Sequence, residues 1–85
     1  MKDTLIIMYG TSWCGHTRRS RKLLEEYQVP YTWIDIDINL DGRRFVESIN
    51  HGMRSVPTIV FPDGTILVEP SDRELTRKLG LAGND

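Results

Sequence analysis

The chain has a single cysteine, Cys14, so no internal disulfide can staple it. In 85 residues that leaves packing alone to stabilise the fold, and it fits a reducing compartment better than an oxidising one. Charge of one sign is also lacking: 11 Lys plus Arg against 12 Asp plus Glu give a net charge of −1, which argues against nucleic acid as a partner. No apolar run approaches the ~20 residues of a membrane span, and Met1-Lys2-Asp3-Thr4 leads into a strand pattern without a signal-peptide core. The expectation is one soluble, cytoplasmic domain over residues 1–85, monomeric by default and without a membrane partner. The two histidines are dispersed, and His51 has no cysteine or carboxylate at ligand spacing, so no metal site is expected.

What is present alternates between strand and helix signals. Leu5 to Tyr9 is a short run of strand formers, read as a central strand buried on both faces. Gly10, Thr11 and Ser12 turn the chain, with Ser12 or a neighbour a candidate cap for a helix from Cys14 to about Tyr27 whose apolar face carries Leu23, Leu24 and Tyr27. Tyr31 to Ile38 reads as a second strand, alternating from Ile34 onward. Asn39 or Asp41 opens a second helix with Phe45, Val46 and Ile49 on one face, closed by Asn50-His51-Gly52. Thr58 to Phe61 and Ile66 to Val68 flank the turn Pro62-Asp63-Gly64-Thr65 as a hairpin, and Ser71 with Glu74 has capping-box spacing before a last helix from Asp72 to Leu79. The order β-α-β-α-β-β-α predicts an α/β fold, a four-stranded mixed sheet flanked by helices.

Within that order Cys14 falls where a strand gives way to a helix. The first turn of a helix has N–H groups without partners and the positive end of the macrodipole, and both favour a thiolate. Free thiols titrate near pH ~8.5, and such a setting lowers them toward ~3.5–7.5. Arg18, Arg19, Arg21 and Lys22 follow: poor for the start of a helix, good for an anion, or simply a solvated face. Cys14 is therefore the candidate nucleophile, although a lone cysteine is more often a small buried apolar residue.

A nucleophilic cysteine after the first strand, Trp13-Cys14-Gly15, a later Ser55-Val56-Pro57-Thr58, and Phe61-Pro62-Asp63-Gly64-Thr65 followed by Pro70-Ser71 resemble the glutaredoxins of the thioredoxin superfamily. The match is to the small mycoredoxin and NrdH-redoxin types and runs from about Leu5 to Leu79. The resemblance implies a thioredoxin fold and thiol-disulfide oxidoreductase activity, with Cys14 as nucleophile tuned by Gly15, His16 and Thr17. It implies that Tyr9, Thr11 and Trp13 line the groove and that Arg19 and Arg21 are basic positions of the first helix. Val56 would pair its backbone with the bound thiol, and Pro57 would be a cis-proline facing the sulfur. Ser71 and Asp72 would meet a carboxylate of that thiol at the start of the last helix. No tightly bound cofactor is implied; the co-substrate would be a low-molecular-weight thiol, mycothiol or glutathione, and the partners S-thiolated proteins.

The family's second cysteine, three residues after the first, is replaced here by Thr17. Without a resolving thiol the resemblance implies a monothiol route, with the Thr17 hydroxyl a candidate hydrogen-bond donor to the thiolate. Two other classes stay open: an iron-sulfur cluster scaffold or carrier, since Cys14-Gly15-His16-Thr17 is superficially similar to the motif of monothiol glutaredoxins, and a redox-degenerate domain that binds without turnover. His16 either tunes the thiolate or faces solvent, and Trp33 reads as packing or sheet surface.

Overall fold

The computed structural model describes residues 5–81, and both ends of the expected 1–85 domain lie outside that range. The elements are β1 (Ile6–Gly10), α1 (Gly15–Glu26), β2 (Tyr31–Asp35), α2 (Leu40–Ile49), β3 (Thr58–Val60), β4 (Ile66–Val68) and α3 (Asp72–Leu79). They form one mixed sheet in the order β2-β1-β3-β4. β1 runs parallel to β2 and antiparallel to β3, and β3 and β4 make the hairpin. The β-α-β-α-β-β-α order and the central place of β1 are as the sequence predicts.

Period-two alternation along β1 sends its side chains to two different layers. Ile6 and Met8 join Leu23 and Leu24 of α1, Ile59, Phe61 and Leu75 of α3 in the main core. On the other face Tyr9 stacks on Phe45 of α2, ring centroids 4.8 Å apart. Met8, Leu24, Ile59 and Leu75 are completely buried, and truncating any of them to alanine is worth about 2–5 kcal/mol. That is a large part of the ~5–15 kcal/mol by which a small domain is stable.

Several boundaries differ from the sequence reading. β2 stops at Asp35, not Ile38, because its partner strand ends there: Gly10 pairs with Asp35, and the last bond is Ile36 N–H to the Gly10 carbonyl at 3.0 Å. Asp35 then curls the chain, its carboxylate accepting the Asp37 N–H at 2.9 Å and its carbonyl the Asn39 N–H at 2.9 Å. The alternation over residues 35–38 is thus a turn, in which Ile36 is buried and Ile38 is 86% exposed. Tyr27, expected on the core face of α1, is its half-exposed C-cap. Ile49 is likewise exposed, leaving Val46 as the buried anchor of α2. β3 ends at Val60, and Phe61, expected in the strand, is buried while its N–H bonds the Thr65 carbonyl across the turn at 2.9 Å. Three of the predicted caps hold: Asn39 accepts from the Gly42 N–H, Ser71 and Glu74 form a full capping box, and Gly80 ends α3 at φ 70°.

Candidate active site

The site is built where α1 lands on the end of β1. A Cβ on Gly10 would stand 2.6 Å from Cγ2 of Thr17, so only glycine lets the first turn of α1 settle onto the strand this closely. That contact fixes Cys14. Its extended backbone, φ −79° and ψ 123°, makes it the N-cap residue of α1, one position outside the expected first turn, and neither Ser12 nor any other side chain caps the helix. The sulfur therefore occupies the place where a serine or aspartate oxygen normally accepts from the first turn.

The surroundings act on the thiol in both directions. Partial burial is the largest influence and resists ionisation, as does the Glu69 carboxylate more weakly. The Thr17 N–H, the Thr17 hydroxyl and the His16 N–H together outweigh them, and the net effect holds the Cys14 thiol below its ordinary value. Thr17 is completely buried. Among the described residues its hydroxyl meets no partner in full hydrogen-bonding geometry, so its proton is free to turn toward the sulfur as charge develops. The Thr11 and Ser20 hydroxyls are also buried without partners among the described residues.

Around this centre the structure separates the candidate residues into those that flank Cys14 and those engaged elsewhere. Trp13 is 69% exposed yet held, its indole N–H donating to Asp37 at 2.8 Å. The Val56–Pro57 bond is cis, as expected, and Pro57 is buried. His16 Nε2 lies 3.0 Å from the Pro70 carbonyl, which can only accept, so that nitrogen carries the proton. The His16 ring is not free in solvent: it braces α1 against the segment before α3, and only the backbone N–H of His16 acts on the sulfur. Ser71 and Asp72 begin α3, where the Ser71 hydroxyl takes the Glu74 N–H at 3.0 Å and Asp72 meets Arg19 at 3.6 Å. Arg19, Asp72 and Thr76 line an open cavity of about 400 Å³ between α1 and α3.

Arg21, Tyr9 and Thr11 are engaged differently. The Arg21 guanidinium lies over Trp33, 3.9 Å from the ring centroid, and its Nε–H donates to the Tyr31 hydroxyl at 3.0 Å. Tyr9 is committed to Phe45, and burial raises its phenol above the usual value. Thr11 is buried beneath the loop, its carbonyl accepting the Cys14 N–H at 3.4 Å.

A buried strand end, an N-cap cysteine with a lowered thiol, and a Val-Pro segment leading into a hairpin coincide with a known family model. The glutaredoxin model matches residues 6–66. The chain belongs to the glutaredoxin family. A candidate glutaredoxin of Mycobacterium tuberculosis is 40% identical over 79 residues, covering 93% of this chain and 94% of that protein. Mycoredoxin 1 of Corynebacterium glutamicum is 34% identical over 74 residues, covering 87% of this chain and 91% of the relative. Among solved structures, a glutaredoxin from Archaeoglobus fulgidus superposes with a TM-score of 0.70 at 26% identity, over 87% of this chain and 84% of that one. The fold is thioredoxin-like. As a glutaredoxin-family protein its activity is thiol-disulfide exchange.

Three residues around the site escape the sequence reading. Asp37 looks like strand alternation until the turn places it on Trp13. The Pro70 carbonyl has no side-chain signal at all. Glu69, two residues before the capping Ser71, gives no hint in the sequence of its left-handed backbone, φ 50°.

Proposed function

We propose that this glutaredoxin reduces mixed disulfides between proteins and a low-molecular-weight thiol by a monothiol route through Cys14. The observation that carries the reading is at position 17. Where a resolving cysteine would stand there is a buried threonine, and the chain has no other cysteine, so Cys14 must be released by a thiol from outside. Kinship to Mycoredoxin 1 supports mycothiol as that co-substrate, and the wider family supports glutathione.

The Cys14 thiolate attacks the small-thiol sulfur of the mixed disulfide. The old S–S bond breaks, the protein substrate leaves as thiolate and takes up a proton, and Cys14 is joined to the small thiol. A second small thiol, deprotonated, then attacks that same small-thiol sulfur. It forms the symmetrical small-thiol disulfide and returns Cys14 as thiolate. A lowered thiol pKa keeps Cys14 ionised for attack and makes it a good leaving group in the second step. The N–H groups of His16 and Thr17 and the Thr17 hydroxyl meet the charge at both points.

The test uses a model protein thiolated with mycothiol or with glutathione, in excess of the same free thiol. Released protein thiol is measured for the wild type and for Cys14→Ser, with mass spectrometry of the enzyme after mixing with substrate alone. Turnover with an adduct of one small thiol on Cys14 supports the reading. Release no faster than with Cys14→Ser, or no adduct, overturns it.

A further inference from the structure

We infer that Glu69 sets the charge preference of the site: its carboxylate disfavours anionic reactants at Cys14 relative to neutral ones. As a statement about the small thiol, this rests on the proposed function. As a statement about the sulfur, it does not.

The placement comes from the hairpin. The β3–β4 ladder pairs Thr58 with Val68, and the Glu69 N–H donates to the Pro57 carbonyl at 2.8 Å, carrying the ladder one step further. Glu69 therefore sits across from Pro57. The next residue, Pro70, is tied by its carbonyl to His16, two positions after Cys14. The segment is hooked on both sides to the surroundings of the sulfur.

The backbone makes the side chain notable. Among the described residues three others than glycine have positive φ: Gln28, His51 and Glu69. Gln28 follows the Tyr27 C-cap of α1 and His51 the Asn50 C-cap of α2, where left-handed residues commonly terminate helices. Glu69 ends no helix, and at φ 50° glycine or asparagine would fit with less strain. Strain held beside a reactive group points to a role for the side chain that bears it.

Among the described residues the neighbouring acids are engaged elsewhere. Asp72 is paired with Arg19 at 3.6 Å, and Glu74 is engaged with the Ser71 N–H at 2.8 Å. Among the described residues no lysine or arginine pairs with Glu69, which is exposed. Its opposition to ionisation of Cys14 agrees with a carboxylate within range of the sulfur. Glutathione carries two carboxylates and one ammonium at neutral pH, so it meets a repulsion that an uncharged thiol does not. For unit charges about 7 Å apart in water, Coulomb's law gives an effect of about two- to threefold, reduced by salt.

The test measures alkylation of Cys14 by iodoacetamide and by iodoacetate, each displaced of iodide by the thiolate, at a pH where Cys14 is fully ionised. Wild type, Glu69→Gln and Glu69→Gly are compared at low ionic strength. The control is Glu26→Gln, at the far end of α1, ~16–18 Å along the helix. The expected result is a rise of about two- to threefold in the iodoacetate-to-iodoacetamide rate ratio for both Glu69 variants, vanishing in high salt, with the control unchanged. Turnover with glutathione relative to 2-mercaptoethanol rises by the same factor. An unchanged alkylation ratio in both variants overturns the inference whatever the turnover. A changed ratio in an enzyme that turns over no mixed disulfide upholds the charge effect and overturns the proposed function instead.

Discussion

Two helices begin beside the site, and their first turns are built on opposite plans. α3 is self-sufficient: Ser71 accepts from the Glu74 N–H, the Glu74 carboxylate accepts from the Ser71 N–H, and Asp72 and Glu74 complement the macrodipole. α1 has no side-chain cap, no acidic residue in its first turn, and Arg18 placed against the dipole. A start like that of α3 is optimised for stability, whereas α1 leaves its N–H groups open to whatever occupies the N-cap position. In α1 that occupant is Cys14. The difference identifies the end at which stability has been given up for reactivity.

The comparison breaks most visibly at Cys14. Cys14→Ser should reduce mixed-disulfide turnover to the uncatalysed background, since no other thiol is available. The same substitution installs a good N-cap oxygen in a backbone already shaped for one, so unfolding should become harder by about 1 kcal/mol near pH 6. For a domain this small that is a rise in Tm of about 4–8 °C. A serine variant that melts no higher than the wild type would show that α1 is not short of a cap.

The next effect is the pH dependence of that gain. Because the folded thiol is held below its ordinary value, the unfolded chain binds more protons between the two pKa values, and wild-type stability rises with pH across that window. The contribution is complete above the free thiol value of ~8.5 and is lost as pH falls through the lowered folded value. Serine does not titrate, so its advantage should shrink in paired urea titrations as pH rises from the lowered folded value to the free thiol value. A constant gap would mean that the thiolate gains nothing from the helix start.

Ser71→Ala tests the other end. Losing the cap should destabilise the protein by about 1 kcal/mol in the same titrations. The ultraviolet thiolate titration of Cys14 should keep its position, because Ser71 is not among the groups that act on that sulfur. A shift of that titration would couple the two helix starts and dissolve the contrast between them.

How much of this is legible in the sequence follows the same line between local and long-range interactions. The caps at Asn39, Ser71 and Gly80 are local hydrogen-bonding or backbone preferences, and all three hold. The element order follows from periodicity and turn chemistry and also holds. The end of β2 is misread from the sequence because the length of a strand depends on its partner, and β1 stops pairing at Gly10. Cys14 at a helix start is readable, but not that Asp37 holds Trp13 or that Arg21 lies on Trp33, since both depend on how β2 sits against α1. Glu69 is invisible because nothing local in the sequence marks its left-handed backbone, φ 50°.

The smallest expected effect separates structure from chemistry within a single side chain. Thr17→Val keeps the shape of a completely buried residue and removes only a hydroxyl that has no partner in hydrogen-bonding geometry. Such an exchange is close to neutral for folding, within about 1 kcal/mol, and tends toward stabilisation because an unsatisfied polar group leaves the interior. The hydroxyl is, however, one of the groups that favour the Cys14 thiolate, so the thiol pKa should move up in the ultraviolet titration. Reactivity toward iodoacetamide below that pKa should fall in step. If Thr17→Val instead cost several kcal/mol with the titration unmoved, the hydroxyl would be a structural bond to the core, and the first turn of α1 would resemble that of α3 after all.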